Sequence, residues 1–264
     1  MSNESPETPT DLWMQLHASW DAQQELYIRD RERRYEVLFE FVDQVAPAPT
    51  RILDLACGPG SLAKRCLDRY PKAQVVAVDI DPVLLQIGKS ALGDMQGRLR
   101  WVQADLREND WWAYLQPNSF DLAVSSTALH WLTATELKSL YGRAASLLKA
   151  DGVLLNADYF EPNPAASRPA AAIEKVDEKR QAEARTNGAL SWDDWWQKVR
   201  EISELGPALA ERDQIFPPDS TRSQLSPTFD EHRKALAEAG FSEVQMVWQD
   251  LNEGLLVALL DTSS

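Results

Sequence analysis

A short glycine-rich segment near residue 60 joins an apolar stretch to a helical pattern. Residues 52–63 are Ile-Leu-Asp-Leu-Ala-Cys-Gly-Pro-Gly-Ser-Leu-Ala. Gly58 and Gly60 would let a ligand approach the backbone at a place where a Cβ would collide with it. In an open parallel sheet, ligands bind outside the carboxyl ends of the strands. The segment therefore predicts a ligand-binding loop after the first strand.

Acidic residues stand near the ends of three predicted strands: Asp54, Asp79 and Asp105. The spacing from Gly58 to Ala63, followed by Asp79, also fits the dinucleotide fingerprint, so an NAD-dependent oxidoreductase is an alternative. However, Asp54 would repel a pyrophosphate, and Pro59 lacks the N–H that a phosphate nest uses. Three acids around one crevice suit a cationic ligand that is rich in hydroxyl and amine donors.

S-adenosylmethionine (SAM) is such a ligand, with a sulfonium, an ammonium, a ribose diol and an adenine amine. The run from Leu53 to Gly60 resembles the first motif of the class I SAM-dependent methyltransferases. The resemblance extends over residues 51–158 and resumes over 232–260. The Ala-Leu-His-Trp-Leu run at 128–132 is similar to a small-molecule subgroup that includes trans-aconitate methyltransferase. The resemblance implies a methyltransferase with SAM as its cofactor.

The resemblance also implies which residues hold the methionyl part of the cofactor. Asp54 and the backbone from Gly58 to Gly60 would hold the amino group, which the Ser125 carbonyl would also contact. Ala56, in the same loop, is expected among the cofactor-binding residues. Tyr27, in the N-terminal helix, would close over the cofactor or serve only in packing.

The nucleoside part would lie against the next two strand ends. Asp79 would bind the two ribose hydroxyls, and Ile80 would pack on the adenine. Asp105 would accept a hydrogen bond from the adenine amine, and the Leu106 N–H would meet a ring nitrogen.

The segment after the fourth strand is expected to contain residues that contact the methyl acceptor. His130 is the predicted catalytic residue, because an imidazole takes up a proton near neutral pH. The alternative is that His130 only orients its loop. Trp131, Tyr159 and Trp196 are predicted to contact the acceptor, although the tryptophans of the 192–196 segment would also serve simply to dock a cap. Residues 125–127 are hydroxyl-bearing rather than acidic, so no metal is expected.

Strand and helix patterns alternate along the chain and predict parallel βαβ units. The family resemblance implies a Rossmann-like α/β fold with a seven-stranded sheet of order 3-2-1-4-5-7-6 and strand 7 antiparallel. The alternating charges from Arg29 to Glu36 predict a solvated helix face. The expected organisation is a disordered tail (1–10), a helical arm (11–46), a SAM-binding domain (47–159 and 228–264) and a helical cap (160–227) inserted between strands 5 and 6.

Composition narrows the class of partner. The chain has 264 residues and a formal net charge of −14, which argues against nucleic acid and against an anionic membrane surface. No apolar run approaches the ~20 residues of a membrane span. The two cysteines show no ligand spacing and suggest a reducing compartment. We therefore expect a cytoplasmic monomer or homodimer that methylates an oxygen, or a nitrogen, of a small molecule. A non-catalytic SAM-binding module is a further alternative.

Overall fold

A computed structural model of the chain describes residues 9–163, 165–217 and 226–261. The strands are β1 (Arg51–Leu55), β2 (Gln74–Asp79), β3 (Leu99–Gln103), β4 (Phe120–Ser126), β5 (Leu148–Tyr159), β6 (Phe241–Asp250) and β7 (Glu253–Leu260). The helices are α1 (Pro9–Tyr27), α2 (Arg31–Val45), α3 (Ser61–Arg69), α4 (Pro82–Leu92), α5 (Ala134–Leu147), α6 (Ser167–Thr186), α7 (Trp192–Arg200), α8 (Gly206–Ile215) and α9 (Phe229–Glu238).

Over these residues, seven strands form one sheet in the order β3-β2-β1-β4-β5-β7-β6. Neighbouring strands from β3 to β5 run parallel, and β7 is antiparallel to both β5 and β6. The predicted fold class and strand order are confirmed. A two-residue turn between β6 and β7 permits only antiparallel pairing, which is why the tail could be predicted correctly.

The central strands are buried on both faces, as expected where helices cover a parallel sheet. In β1, Leu53 and Leu55 point into the core beneath α5 and α9, whereas Ile52 points into the core beneath α2 and α3. Asp54 shares a face with Ile52 because side chains alternate along a strand. This carboxyl group therefore enters an otherwise apolar interior next to the glycine loop.

The predicted N-terminal helix is two helices with a break at residues 28–30. Asp30 adopts left-handed backbone angles (φ 44°, ψ 45°) and redirects the chain into α2. The expectation of a solvated face for residues 29–36 is wrong for Arg31 and Arg34, which are 4% and 0% exposed. The alternating charges within the helix did not reveal that these arginines are buried, because their hydrogen-bonded carboxylate partners lie outside the helix.

The predicted cap consists of α6, α7 and α8, and it lies between β5 and β6 in the chain. Apolar side chains of α7 and α8 pack with α1 and α4 around Trp20, Ile87 and Trp195. α6 has no buried residue. The predicted tail, residues 1–10, falls largely outside the described residues, and Pro9 already belongs to α1. No helix in the described part of the chain is long and apolar enough to cross a membrane.

Candidate active site

The glycine loop follows β1 and is shaped by close packing from behind. Gly60 has φ +85°, and a Cβ there would lie 2.5 Å from the Trp101 ring, so no other residue fits without rearrangement. A Cβ on Gly88 of α4 would lie 2.6 Å from the Pro59 carbonyl oxygen. The loop backbone therefore rests directly on the backbone of α4.

Asp54 is the innermost polar group of the loop region. It is 1% exposed, and its Oδ2 atom has no hydrogen-bond partner among the described residues. Burial raises the pKa of this carboxyl to about 8, although the Ala63 backbone N–H opposes the shift. A buried carboxyl oxygen without a partner, beside a glycine turn, fits the ammonium of a ligand such as SAM.

Asp79 ends β2 and holds the glycine loop. Its Oδ2 accepts the Gly58 N–H at 2.7 Å, and its Oδ1 accepts the Asp81 N–H at 2.8 Å. Burial raises the pKa of Asp79 to about 6. Each carboxylate oxygen has a second lone pair, so the side chain can still accept from a ribose diol. Ile80 follows and is half-buried.

Asp105, the third acid, was expected to contribute a negative charge to the crevice, but it is paired with an arginine. Arg107 donates to both oxygens of Asp105, from Nη2 at 2.6 Å and from Nε at 2.8 Å and 3.0 Å, so the Asp105 charge is compensated. Leu106 is buried beside it. Ser125, at the end of β4, is buried and donates its hydroxyl to the Leu55 carbonyl at 2.8 Å. The contacts of these residues with a cofactor stay predictions.

Helix α1 covers the loop. The Trp20 ring lies 3.8 Å from where a Cβ of Gly58 would be. Asp21 accepts the Ser61 hydroxyl at 2.5 Å and the Arg31 guanidinium at 2.9 Å, so the arm is tied to the first residue of α3. The predicted cofactor contact Tyr27 lies farther along, where its hydroxyl accepts the N–H of Trp192 at 2.9 Å. The Tyr27 hydroxyl therefore joins the arm to the cap.

His130 lies in a short turn after β4, against the end of β5. Its Nδ1 is 2.6 Å from Asp158 Oδ1, and its backbone N–H donates to Asp158 Oδ2 at 3.0 Å. The His130 side chain is 13% exposed and that of Asp158 is fully buried. Burial alone would raise the pKa of Asp158, but the imidazole and the Tyr159 N–H hold it below its usual value.

Two of the predicted acceptor contacts surround this histidine. The Trp131 side chain is exposed, and its ring centroid is 4.8 Å from that of His130. The Tyr159 ring meets the imidazole edge-on at 6.3 Å and donates its hydroxyl to Glu161 at 3.3 Å.

Trp196 is placed differently from Trp131 and Tyr159. It is 6% exposed, and its ring lies under the Arg212 guanidinium at 3.6 Å. Arg212 also donates to Asp81 at 2.7 Å. Trp196 therefore belongs to the packed core of the cap, which agrees with the docking alternative, and its contact with an acceptor stays a prediction.

Sequence reasoning missed Asp158, Arg31 and Arg34. Arg31 is buried, and its Nε and Nη1 atoms make no hydrogen bond to the described residues; Arg34 pairs with Glu253 at 2.6 Å. No local pattern marks these residues, because each depends on a partner or neighbour distant in the chain. Across the described residues, no cluster of His, Cys, Asp and Glu is arranged to hold a metal ion.

Comparison with known proteins agrees with this geometry. Residues 52–152 match the model of a methyltransferase domain family. Malonyl-[acyl-carrier protein] O-methyltransferase of Anoxybacillus flavithermus is 32% identical over 139 residues, which are 51% of this chain and 50% of that protein. Trans-aconitate 2-methyltransferase of Streptomyces avermitilis is 35% identical over 117 residues, 43% of this chain and 42% of that protein.

A solved structure extends the likeness to the whole fold. Human N-acetylserotonin methyltransferase, in complex with SAM, superposes with a TM-score of 0.54 over 98% of this chain and 60% of that chain, at 16% identity. At that identity the likeness shows the fold alone. The chain spans about half the length of the curated relatives it matches.

The strand order, the glycine loop and the match of residues 52–152 to a methyltransferase domain together make this chain similar to the class I SAM-dependent methyltransferases. SAM is the cofactor of this family, and the unpartnered oxygen of Asp54 fits its ammonium.

Proposed function

We propose that the chain transfers the methyl group of SAM to an oxygen, or alternatively a nitrogen, of a small-molecule acceptor, with S-adenosylhomocysteine (SAH) as the product. SAM supplies an electrophilic methyl group on a sulfonium. The protein binds it, orients the acceptor and excludes water.

The observation that carries this proposal is the adjacency of two groups at the carboxyl edge of the sheet. Asp54 lies near the end of β1 and the glycine loop follows it, whereas His130 follows β4 and Asp158 lies near the end of β5. Neighbouring strands lie about 4.8 Å apart. A cation held at β1 is thus within a few strand spacings of a histidine that can receive a proton.

In this proposal, the protein binds SAM and holds the acceptor in position for methyl transfer. Asp54 is suited to the ammonium and Asp79 to the ribose diol, while α1 covers the loop and limits access of water. Methyl transfer is an in-line displacement, and holding the nucleophile about 3–3.5 Å from the methyl carbon supplies much of the acceleration.

The names of the relatives support oxygen as the acceptor atom. One is named malonyl-[acyl-carrier protein] O-methyltransferase, and another is named trans-aconitate 2-methyltransferase. Both comparisons cover about half of this chain, so the acceptor of this chain is a matter for experiment.

Calorimetry with SAH and with NAD separates the leading alternatives. We expect heat of binding with SAH and none with NAD. Transfer of a labelled methyl group is then measured with trans-aconitate and with a panel of hydroxyl and amine compounds. Binding of NAD without SAH would favour an oxidoreductase, whereas SAH binding without any methylated product would favour a non-catalytic module.

Changing Asp79→Ala tests the cofactor site directly. We expect the SAH dissociation constant to rise by a factor equivalent to about 1–3 kcal/mol, because ribose hydrogen bonds are lost. Asp68→Ala is the matched control, since Asp68 is an exposed acid paired with Lys64 on the outer face of α3. An SAH affinity that is equal in both variants would remove Asp79 from the site.

A further inference from the structure

We propose that Asp158 is a positioning residue that fixes the proton of His130 on Nδ1, so that Nε2 receives the proton of an acceptor hydroxyl. The inference rests on the proposed methyl transfer and adds a substrate class to it. The acceptor is a molecule whose attacking oxygen carries a proton, such as a phenol or an enol, rather than a carboxylate.

The geometry around Asp158 leaves one arrangement of protons. Asp158 Oδ1 is 2.6 Å from His130 Nδ1 and also accepts the Tyr159 N–H at 2.9 Å. An ionised carboxylate can only accept hydrogen bonds, so Nδ1 must carry a proton. The His130 backbone N–H donates to the other oxygen and fixes the carboxylate plane. In the neutral ring, the lone pair is then on Nε2.

The Nε2 atom is available to a ligand. No hydrogen bond to it occurs among the residues that the structure describes, and the side chain is 13% exposed. The rings of Trp131 and Tyr159 border the imidazole. Nε2 is therefore a proton-accepting atom that this aromatic surface can offer to an acceptor.

A second histidine near Asp158 does not compete for it. His232 is buried, and its Nδ1 lies 2.6 Å from the Tyr141 hydroxyl. Burial lowers the pKa of His232 to about 4, so it is neutral at physiological pH. The Asp158 carboxylate thus has His130 as its imidazole partner.

The proton of the acceptor decides whether this base is used. A carboxylate has no proton to release, whereas a hydroxyl must lose its proton to become a strong nucleophile. The nearby acid Glu253 does not distinguish the two acceptors, because it is bound to Arg34. The arrangement of His130 and Asp158 therefore favours a hydroxyl acceptor.

The proton and the electrons balance in this step. The acceptor oxygen forms a bond to the methyl carbon while the carbon–sulfur bond breaks and its electron pair stays on sulfur. The hydroxyl proton passes to His130 Nε2, Asp158 stabilises the resulting imidazolium, and the proton later leaves to water.

Nitrogen NMR of the imidazoles tests the tautomer independently of activity. The chain has only three histidines, so the signals can be assigned by substitution. For the SAH complex we expect His130 to carry its proton on Nδ1. In Asp158→Ala, no carboxylate holds the Nδ1 proton, so a substantial fraction of His130 should carry its proton on Nε2 instead. A wild-type His130 with its proton on Nε2, or a tautomer unchanged by Asp158→Ala, would overturn the proposal.

Turnover tests the substrate class, with pairs of a phenol and the benzoate of the same ring as acceptors. We expect methylation of the phenols, with kcat lowered about 10²–10⁴-fold in Asp158→Asn and KM little changed. Asp121→Asn is the matched control, because Asp121 stands at the opposite end of β4, where it binds the Thr50 N–H. Methylation of the benzoates, unaffected by Asp158→Asn, would refute the assigned role.

The two proposals fail in different ways. SAH binding without methylation of either acceptor class counts against the proposed methyl transfer, and the NMR result then decides the position of the His130 proton by itself. Methylation that survives Asp158→Asn leaves the methyltransferase activity intact and removes only the positioning role.

Discussion

At the scale of single residues, Asp54 has a property that its position in the motif did not predict. The motif places a carboxylate near the ligand, but burial raises the pKa of Asp54 to about 8, so the carboxyl is protonated near neutral pH. An ammonium bound there, as proposed for SAM, would stabilise the ionised form, so its binding would release a proton.

This coupling gives SAM binding a defined pH dependence. Below pH 8 the ligand must displace the Asp54 proton, so affinity should increase with pH from about 6 to 8, by up to about tenfold per pH unit. Calorimetry at pH 7 in two buffers with different ionisation enthalpies should detect the release of nearly one proton. Asp54→Asn is the control and should release almost none. Equal proton release by both chains would mean that Asp54 is already ionised before binding.

At this scale, the sequence could predict which acidic residues lie near the ends of strands. Asp54 and Asp79 could be placed from the spacing of apolar runs and glycines alone. Asp158 could not, because its significance lies in a hydrogen bond to His130, which is 28 positions away. The compensation of Asp105 by Arg107 was likewise invisible, since nearby charges do not specify which pairs form.

At the scale of elements, α2 is joined to the sheet by a buried ion pair. Arg34 is bound to Glu253 at the start of β7, and it also donates to Thr127 at 2.7 Å, just after β4. The helical arm was predicted, but its alternating charges were taken as a face exposed to solvent. A charge pattern within one helix cannot show that two of its arginines face the interior.

Breaking this pair from one side should be costly. Arg34→Met is expected to lower the free energy of unfolding by about 3–5 kcal/mol, because Glu253 is left buried without a partner. The double variant Arg34→Met with Glu253→Gln should recover much of that loss. Urea unfolding measures both variants. If the single and double variants are equally destabilised, the Arg34–Glu253 pair is not the origin of the effect.

At the scale of the whole molecule, the arm and the cap form one packed unit over α4. Trp195 is 1% exposed, donates its indole N–H to Ser19 at 2.9 Å and meets the Trp20 ring edge-on at 5.0 Å. The sequence predicted a tryptophan-bearing cap but not its partner, because α1 and α7 are far apart in the chain. The sheet order was predictable because the α/β alternation matched a known family.

Removing Trp195 should loosen the arm and the cap together. Trp195→Ala is expected to cost about 3–5 kcal/mol of stability and to speed amide hydrogen exchange in α1 and α7 more than in β1 or β4. Trp192→Ala is the matched control, since that ring is 40% exposed and should matter less. Exchange that rises uniformly across the sheet would show that the two helices do not open as a unit.

The contact between Gly88 and the Pro59 carbonyl limits which residues position 88 can hold. The position of the glycine loop depends on a missing side chain on α4, the helix on which the loop rests. Even one methyl group at position 88 would lie 2.6 Å from that carbonyl oxygen and force the two backbones apart. The shape of the loop thus depends on a residue that is not itself part of the loop.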